Sequence, residues 1–141
     1  MFRFFKRTNL LEAIQNGDLE TVKKAIRNQR QLKWKDRRGK TLLHWAVISG
    51  SEAMVKLFLA EGIDIDCRDR QGRTPLHWAI ISRQPDMVKL LLQKGADYTA
   101  QTRSGITPLI FATITEQPQL EELFKSLDEN NQLFFDSQEN S

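Results

Sequence analysis

Two histidines, His44 and His77, and one cysteine, Cys67, are the residues whose types suit metal binding or catalysis. A structural metal site usually needs about four ligands, and neither a cysteine pair nor a carboxylate triad lies near either histidine in the sequence. The adjacent Glu121 and Glu122 would point in different directions on a helix, whereas paired acid–base carboxylates converge. Nucleophile-elbow, phosphate-loop and Cys-x-x-Cys motifs are also absent from the sequence. We therefore predict a non-enzymatic protein without metal or cofactor.

Length and composition favour one soluble domain. The chain has 141 residues, of which 40% are apolar and 28% are charged, as in ordinary globular proteins. No apolar run approaches the ~18 residues that a transmembrane helix needs. The lone Cys67 cannot form an internal disulfide, so we expect the reducing cytoplasm, with the nucleus as the alternative. We also expect the chain to be monomeric.

Charge is distributed unevenly along the chain. Residues 1–115 carry a net charge of +9, and residues 116–141 carry a net charge of −6. Such a division predicts an electropositive working surface followed by an acidic tail.

A ten-residue stretch occurs three times at a spacing of 33 residues. The copies read RRGKTLLHWA at 37–46, RQGRTPLHWA at 70–79 and RSGITPLIFA at 103–112. A fixed spacing of this kind indicates a repeat architecture. Extending the alignment outward gives four repeats, at about 3–35, 36–68, 69–101 and 102–127, followed by an acidic polar tail at 128–141.

Each repeat is predicted to form a turn, a helix, a loop and a second helix. Asp and Gly carry the turn chemistry, threonine suits the helix N-cap, and proline suits the first helical position. The N-caps and first-position prolines are Thr41, Thr74, Pro75, Thr107 and Pro108. The first helices are predicted at 42–49, 75–82 and 108–115, and the second helices at 52–60, 85–93 and 118–126.

These repeats resemble the ankyrin repeat, whose period is 33 and whose signature is Thr-Pro-Leu-His-x-Ala. The likeness covers nearly the whole chain and stops near residue 127. It departs from the signature where Leu42 replaces proline, Ile110 replaces histidine, and Arg83 and Glu116 replace a loop glycine. The resemblance implies an all-α solenoid of stacked helix-turn-helix units, with projecting β-turn tips and a concave face. It also implies that His44 and His77 hydrogen-bond to neighbouring backbone.

In ankyrin repeats, the contact residues lie mostly at the turn tips and at the ends of the first helices. Transferred to this chain, the positions with partner-binding roles are Arg37, Arg38, Lys40, Ile48, Arg68, Arg70, Gln71, Arg73, Ile81, Arg103 and Ile106. Ile114 extends the isoleucine row, and Phe4, Phe5 and Arg7 would form the tip of the first repeat. The tip acids Asp36 and Asp69 are expected to be committed to turn hydrogen bonds.

This surface predicts a protein–protein interaction module that binds an acidic protein surface or peptide through its basic tips. Complementary charge of this kind speeds association and excludes wrong partners. The alternative is electrostatic binding of a polyanion, either nucleic acid or a phosphoinositide, whose affinity should fall steeply with salt.

Two further features leave alternatives open. Trp45, Trp78 and Phe111 recur at one helical position, where they could stack on bases. Repeated aromatics in helical register are more often core, and we predict that they fill space between paired helices. Leu133 and its two following phenylalanines are expected to cover the end of the fourth repeat. In a second interpretation, the extended acidic tail reaches the basic tips and competes with partners.

Overall fold

A computed structural model of the protein describes residues 8–139, with side-chain environments for residues 10–130. Within these residues the chain is helical, and its only β-type pairing is an isolated bridge between Lys35 and Thr41. The elements are α1 (Thr8–Asn16), α2 (Leu19–Ile26), a 3-10 helix (Gln29–Lys33), α3 (Leu42–Ser49), α4 (Glu52–Ala60), α5 (Pro75–Ile81), α6 (Pro85–Gln93), α7 (Pro108–Ile114) and α8 (Pro118–Glu139). The predicted all-α class is confirmed.

The helices stack as a solenoid of pairs. Each first helix packs against its own second helix and against the first helices of the neighbouring repeats, so that α1, α3, α5 and α7 form a continuous row. A small side chain lets neighbouring helices approach closely, and Ala46, Ala79 and Ala112 on this row are fully buried. Val55 and Val88 of the second helices complete the buried core between the layers.

Threonine caps set where the first helices begin. The Thr41 hydroxyl accepts a hydrogen bond from the amide of His44, and Thr74 does the same for His77. In return, Nδ1 of each histidine ring accepts a hydrogen bond from the backbone amide of its threonine. Each pair thus satisfies two backbone N–H groups at the start of the helix. Thr107 also caps α7, but Ile110 stands at the histidine position, and its side chain has no atom that could accept a bond from the Thr107 amide.

The loops that depart from the family glycine keep the same backbone conformation. Arg83 and Glu116 have φ angles of 54° and 55°, close to the 77° of Gly50 in the equivalent loop. The neighbouring glutamines anchor these loops, because the Gln84 side chain donates to the Val47 carbonyl at 2.8 Å and Gln117 donates to Ile80 at 2.8 Å. The substitutions therefore raise the conformational free energy of the loop without changing its backbone conformation.

The last helix is longer than predicted. The sequence predicts an end near residue 126, but α8 continues to Glu139. The residues after Leu127 include neither glycine nor proline, so nothing in the sequence interrupts the helix. A helix advances ~1.5 Å per residue rather than ~3.3 Å, so the helical tail has a shorter reach than the extended tail of the second interpretation. The side chains of residues 133–135, which are predicted to cover the end of the fourth repeat, lie outside the described ones.

Candidate functional site

The turn tips are built around Asp36 and Asp69. One carboxylate oxygen of Asp36 accepts from the amides of Arg38 and Lys40, at 2.8 Å and 2.9 Å. Asp69 repeats the arrangement with the amides of Gln71 and Arg73, both at 2.9 Å. These bonds hold each tip as a tight turn and commit both acids to the backbone.

Neighbouring tips are joined by backbone hydrogen bonds. The Arg70 amide donates to the Arg38 carbonyl at 2.8 Å, and the Arg103 amide donates to the Gln71 carbonyl at 2.9 Å. A methyl group on Gly39 or Gly72 would lie 2.9 Å or 2.8 Å from the backbone nitrogen of the following tip. Glycine is therefore required both for the turn and for the close approach of the next repeat.

The histidines serve the same junctions. The ring of His44 accepts from the Thr41 amide at Nδ1, so its Nε2–H donates to the Arg73 carbonyl of the next tip at 2.9 Å. His77 reaches the Ile106 carbonyl in the same way, at 3.1 Å. Burial lowers the pKa of both rings, although these backbone bonds act in the opposite direction. Both nitrogens of each ring are hydrogen-bonded to backbone groups, which leaves neither ring free to act as a base.

Two tryptophans connect the tips to the helices. The Trp45 indole N–H donates to Asp36 at 3.1 Å, and that of Trp78 donates to Asp69 at 2.9 Å. Both rings are half-buried at the edge of the core, so they do not simply fill space between the paired helices. The sequence carried a signal for this contact, because Asp and Trp recur nine residues apart in two repeats and both change together in the fourth, to Thr102 and Phe111.

Lys40 departs from the expectation of a projecting tip residue. It is only 5% exposed, and its ammonium lies over two indoles, 4.6 Å from the Trp78 ring centre and 5.6 Å from that of Trp45. The Arg73 guanidinium also lies over Trp78, at 5.4 Å. Cation–π contacts hold these two charges at the base of the tips rather than at their ends.

A groove of about 520 Å³ lies between the second and third tips. Its lining residues are Arg37, Arg38, Lys40, Asp69, Arg70, Gln71, Arg73 and Trp78. A second hollow of about 330 Å³ adjoins it and shares Arg37, Arg38 and Lys40. The structure thus brings six of the predicted contact residues together in one basic groove.

The other predicted contact residues lie outside this groove. Arg68 is exposed and donates to the Gln101 carbonyl at 2.9 Å, and Arg103 is exposed on the next tip. Ile48, Ile81 and Ile106 are half-buried. Ile110 and Ile114 are the large exposed apolar side chains of the described chain, at 41% and 62%. The predicted tip residues Phe4, Phe5 and Arg7 lie outside the described residues.

Cys67 packs beside the first of these junctions. Its sulfur lies 3.2 Å from the Thr41 hydroxyl and 3.8 Å from the His44 ring. Burial raises the pKa of the thiol to about 11. A thiol that stays protonated near neutral pH is a poor nucleophile and a poor metal ligand.

Among the side chains of residues 10–130, no group of three or more His, Cys, Asp or Glu is arranged to hold a metal ion. Between residues 8 and 139, no helix has both the length and the apolar character needed to cross a bilayer.

Comparison with known proteins agrees with the fold. Residues 10–102 match the family described as ankyrin repeats, in three copies. A stretch of 62 residues is 36% identical to the transient receptor potential cation channel subfamily A member 1 homolog of Caenorhabditis elegans. That match covers 44% of this chain and 5% of the channel protein, so it concerns a small part of the relative's length. The chain belongs to the ankyrin repeat family.

Proposed function

We propose that this protein is a non-enzymatic interaction module that binds an acidic segment of a protein partner. Ankyrin repeats generally mediate protein–protein interaction, which gives the broad function. The observation that supports the finer proposal is the groove between the second and third tips, with its five cationic side chains and one carboxylate. Asp69 supplies one negative charge against five positive ones, so the groove keeps a large excess of positive charge.

Within the described part of the chain, none of the groove's cations forms an ion pair. Among the described residues, the two ion pairs are Lys23–Glu20 and Lys125–Glu121, and both lie on second helices away from the tips. An acidic partner would supply the missing anions, increasing the association rate and disfavouring basic partners. Such a module would act as a monomer in a reducing compartment, where the free Cys67 stays a thiol.

Apolar contacts can add to this electrostatic attraction. Ile48 and Ile81 follow Trp45 and Trp78 by three residues, which places them on the same face of each first helix, one turn away. Both are half-buried, so each still offers apolar surface beside the groove. A peptide with acidic residues next to an apolar side chain could place the acids in the basic groove and the apolar side chain against these isoleucines.

Electrostatic binding of a nucleic acid is the alternative, because the same cations would attract phosphates. In that case the affinity would depend weakly on sequence and would fall steeply with salt. The half-buried tryptophans argue against base stacking, because their indole N–H groups are bonded to Asp36 and Asp69 and their rings are covered by cations. We therefore favour the protein partner.

The test is an affinity capture from source-cell lysate, with and without nuclease. Wild-type protein would be compared with the charge reversal Arg37→Glu/Arg38→Glu/Arg70→Glu/Arg73→Glu. The matched control, Lys24→Glu/Lys56→Glu/Lys89→Glu/Lys94→Glu, reverses four exposed charges on or next to the second helices. We expect a protein that resists nuclease, persists with the control and is lost with the tip variant.

Two results would contradict the proposal. Loss of all captured material on nuclease treatment would favour the polyanion. Capture that survives reversal of the tips but not of the second helices would move the site to the opposite layer of the stack. Both variants would first be compared with wild type by thermal unfolding, so that loss of fold is not taken for loss of binding.

A further inference from the structure

The groove between the second and third tips holds more positive charge than an ordinary acidic side chain can neutralise. Arg37, Arg38, Lys40, Arg70 and Arg73 converge there. The single lining carboxylate, Asp69, already accepts two backbone N–H groups and the Trp78 indole. The groove therefore lacks an anion of more than one unit of charge.

Part of this charge is held in place before any partner binds. Lys40 and Arg73 both lie over the face of Trp78, with the ammonium 4.6 Å and the guanidinium carbon 5.4 Å from the ring centre. Trp78 is itself fixed by its bond to Asp69. Two like charges held near one ring raise the positive potential at this end of the groove, which favours a bound anion. Fixed donors also lose little conformational entropy on binding.

The exposed arginines complete a set of donors around this fixed base. Arg38 and Arg70 belong to adjacent tips whose backbones are joined by a hydrogen bond of 2.8 Å. Their guanidinium groups offer planar forks that suit bidentate contact with phosphate or carboxylate oxygens. A carboxylate has one charge and two oxygens, whereas a phosphate monoester carries roughly −1.5 to −2 and three acceptor oxygens at neutral pH. The phosphate matches both the charge and the number of donors.

We propose that this groove recognises a phosphorylated side chain on the protein partner, with Lys40 and Arg73 at the base of the site and Arg38 and Arg70 closing over the phosphoryl oxygens. The inference rests on the proposed function and names the chemistry of the partner. A phosphorylated lipid headgroup has the same anion. The protein source is favoured because the apolar side chains beside the groove, Ile48 and Ile81, are half-buried and could not insert into a membrane. The large exposed ones of the described chain, Ile110 and Ile114, lie on α7.

The test uses one synthetic peptide of Gly, Ala and Glu with a single central serine. It is prepared in three forms: unphosphorylated, phosphorylated, and with glutamate in place of the serine. Each form is titrated into the full chain near physiological salt, and dissociation constants are compared. The indole N–H resonances of Trp45 and Trp78 report binding at the groove itself. We expect the phosphorylated form to bind at least about tenfold tighter than either other form and to shift both resonances.

Variants connect this preference to the groove. Arg38→Gln/Arg70→Gln changes exposed side chains only and should abolish the preference, whereas the control Lys56→Gln/Lys89→Gln on the second helices should retain it. Equal affinity for the three peptides would overturn the inference and leave acidic-segment binding intact. Binding to phosphatidylcholine vesicles that contain a phosphorylated inositol lipid, without binding to the phosphopeptide, would overturn it in favour of a membrane. If a partner is captured through the tips but the phosphopeptide does not bind, the phosphate inference is wrong and the proposed function still stands.

Discussion

At the scale of single residues, the tip glycines show how one position can serve two constraints. Gly39, Gly72 and Gly105 all have positive φ, between 76° and 79°. A side chain at Gly39 or Gly72 would also meet the backbone of the next tip, whereas nothing lies within 4 Å of the position that a side chain on Gly105 would occupy. The difference arises because no described tip follows the fourth repeat's turn.

This contrast predicts unequal effects of the same substitution. Gly105→Ala should lower the free energy of unfolding by about 1 kcal/mol, the cost of a left-handed alanine. Gly72→Ala should cost at least about 2 kcal/mol, because its methyl group would lie 2.8 Å from the Arg103 amide nitrogen. Urea unfolding of the two variants measures the difference. Equal losses would show that the junction between tips adjusts freely.

The two histidines predict how stability depends on pH. Burial lowers the pKa of both rings below the usual 6.5, so in mildly acidic solution the unfolded chain binds protons that the folded chain does not. The stabilisation that comes from keeping the rings unprotonated is fully present above the pKa of the unfolded chain, near 6.5. It is lost as the pH falls from there toward the pKa values of the folded protein. We expect the melting temperature to decrease between about pH 7.5 and pH 5.

A double variant isolates this effect. His44→Gln/His77→Gln removes both titrating rings and keeps a polar side chain at each junction. Its stability should be lower at neutral pH, where the ring bonds to Arg73 and Ile106 are lost. The stability of the variant should also change less with pH over the same range. If the slope of the wild type persists in this variant, other groups control the acid response.

At the scale of elements, the sequence predicted where helices begin better than where they end. Threonine and proline mark the starts of α5 and α7 chemically, and both helices begin where predicted. The end of α8 has no such mark, and the helix continues well past the predicted residue 126. The burial of Lys40 against Trp45 and Trp78 could not be predicted from the sequence either, because it depends on how two repeats pack against each other.

The loops between paired helices give a prediction of increased stability. Glu116 has a φ of 55°, which costs a residue other than glycine about 1 kcal/mol. Glu116→Gly should therefore raise the free energy of unfolding by roughly 0.5–1 kcal/mol, less the added flexibility of the unfolded chain. Arg83→Gly should gain less, because the Arg83 side chain donates to the Thr115 carbonyl at 2.7 Å. Thermal unfolding compares the two, and a larger gain for Arg83→Gly would contradict this reasoning.

At the scale of the whole molecule, the contacts between neighbouring tips that stabilise the stack also carry the proposed binding groove. The Arg38–Arg70 and Gln71–Arg103 backbone bonds join repeats, and the residues that make them also present the basic groove. In a linear stack each repeat is stabilised by its neighbours, so damage in the middle separates the halves while damage at one end is local. Binding at the second and third tips should therefore resist changes in the first repeat.

Two alanine substitutions test this linear coupling. Ala79→Asp would bury an unpaired charge at a fully buried position in the third repeat, at a cost of several kcal/mol. Because total stability is ~5–15 kcal/mol and both neighbours depend on this repeat, cooperative unfolding should disappear. Ala13→Asp, at a position 6% exposed in α1, should unfold mainly the first repeat. It should leave a cooperative transition with a smaller denaturant dependence, since less surface remains to be exposed. Hydrogen exchange would locate the lost protection, and loss throughout the chain in Ala13→Asp would mean that the stack folds as one indivisible unit.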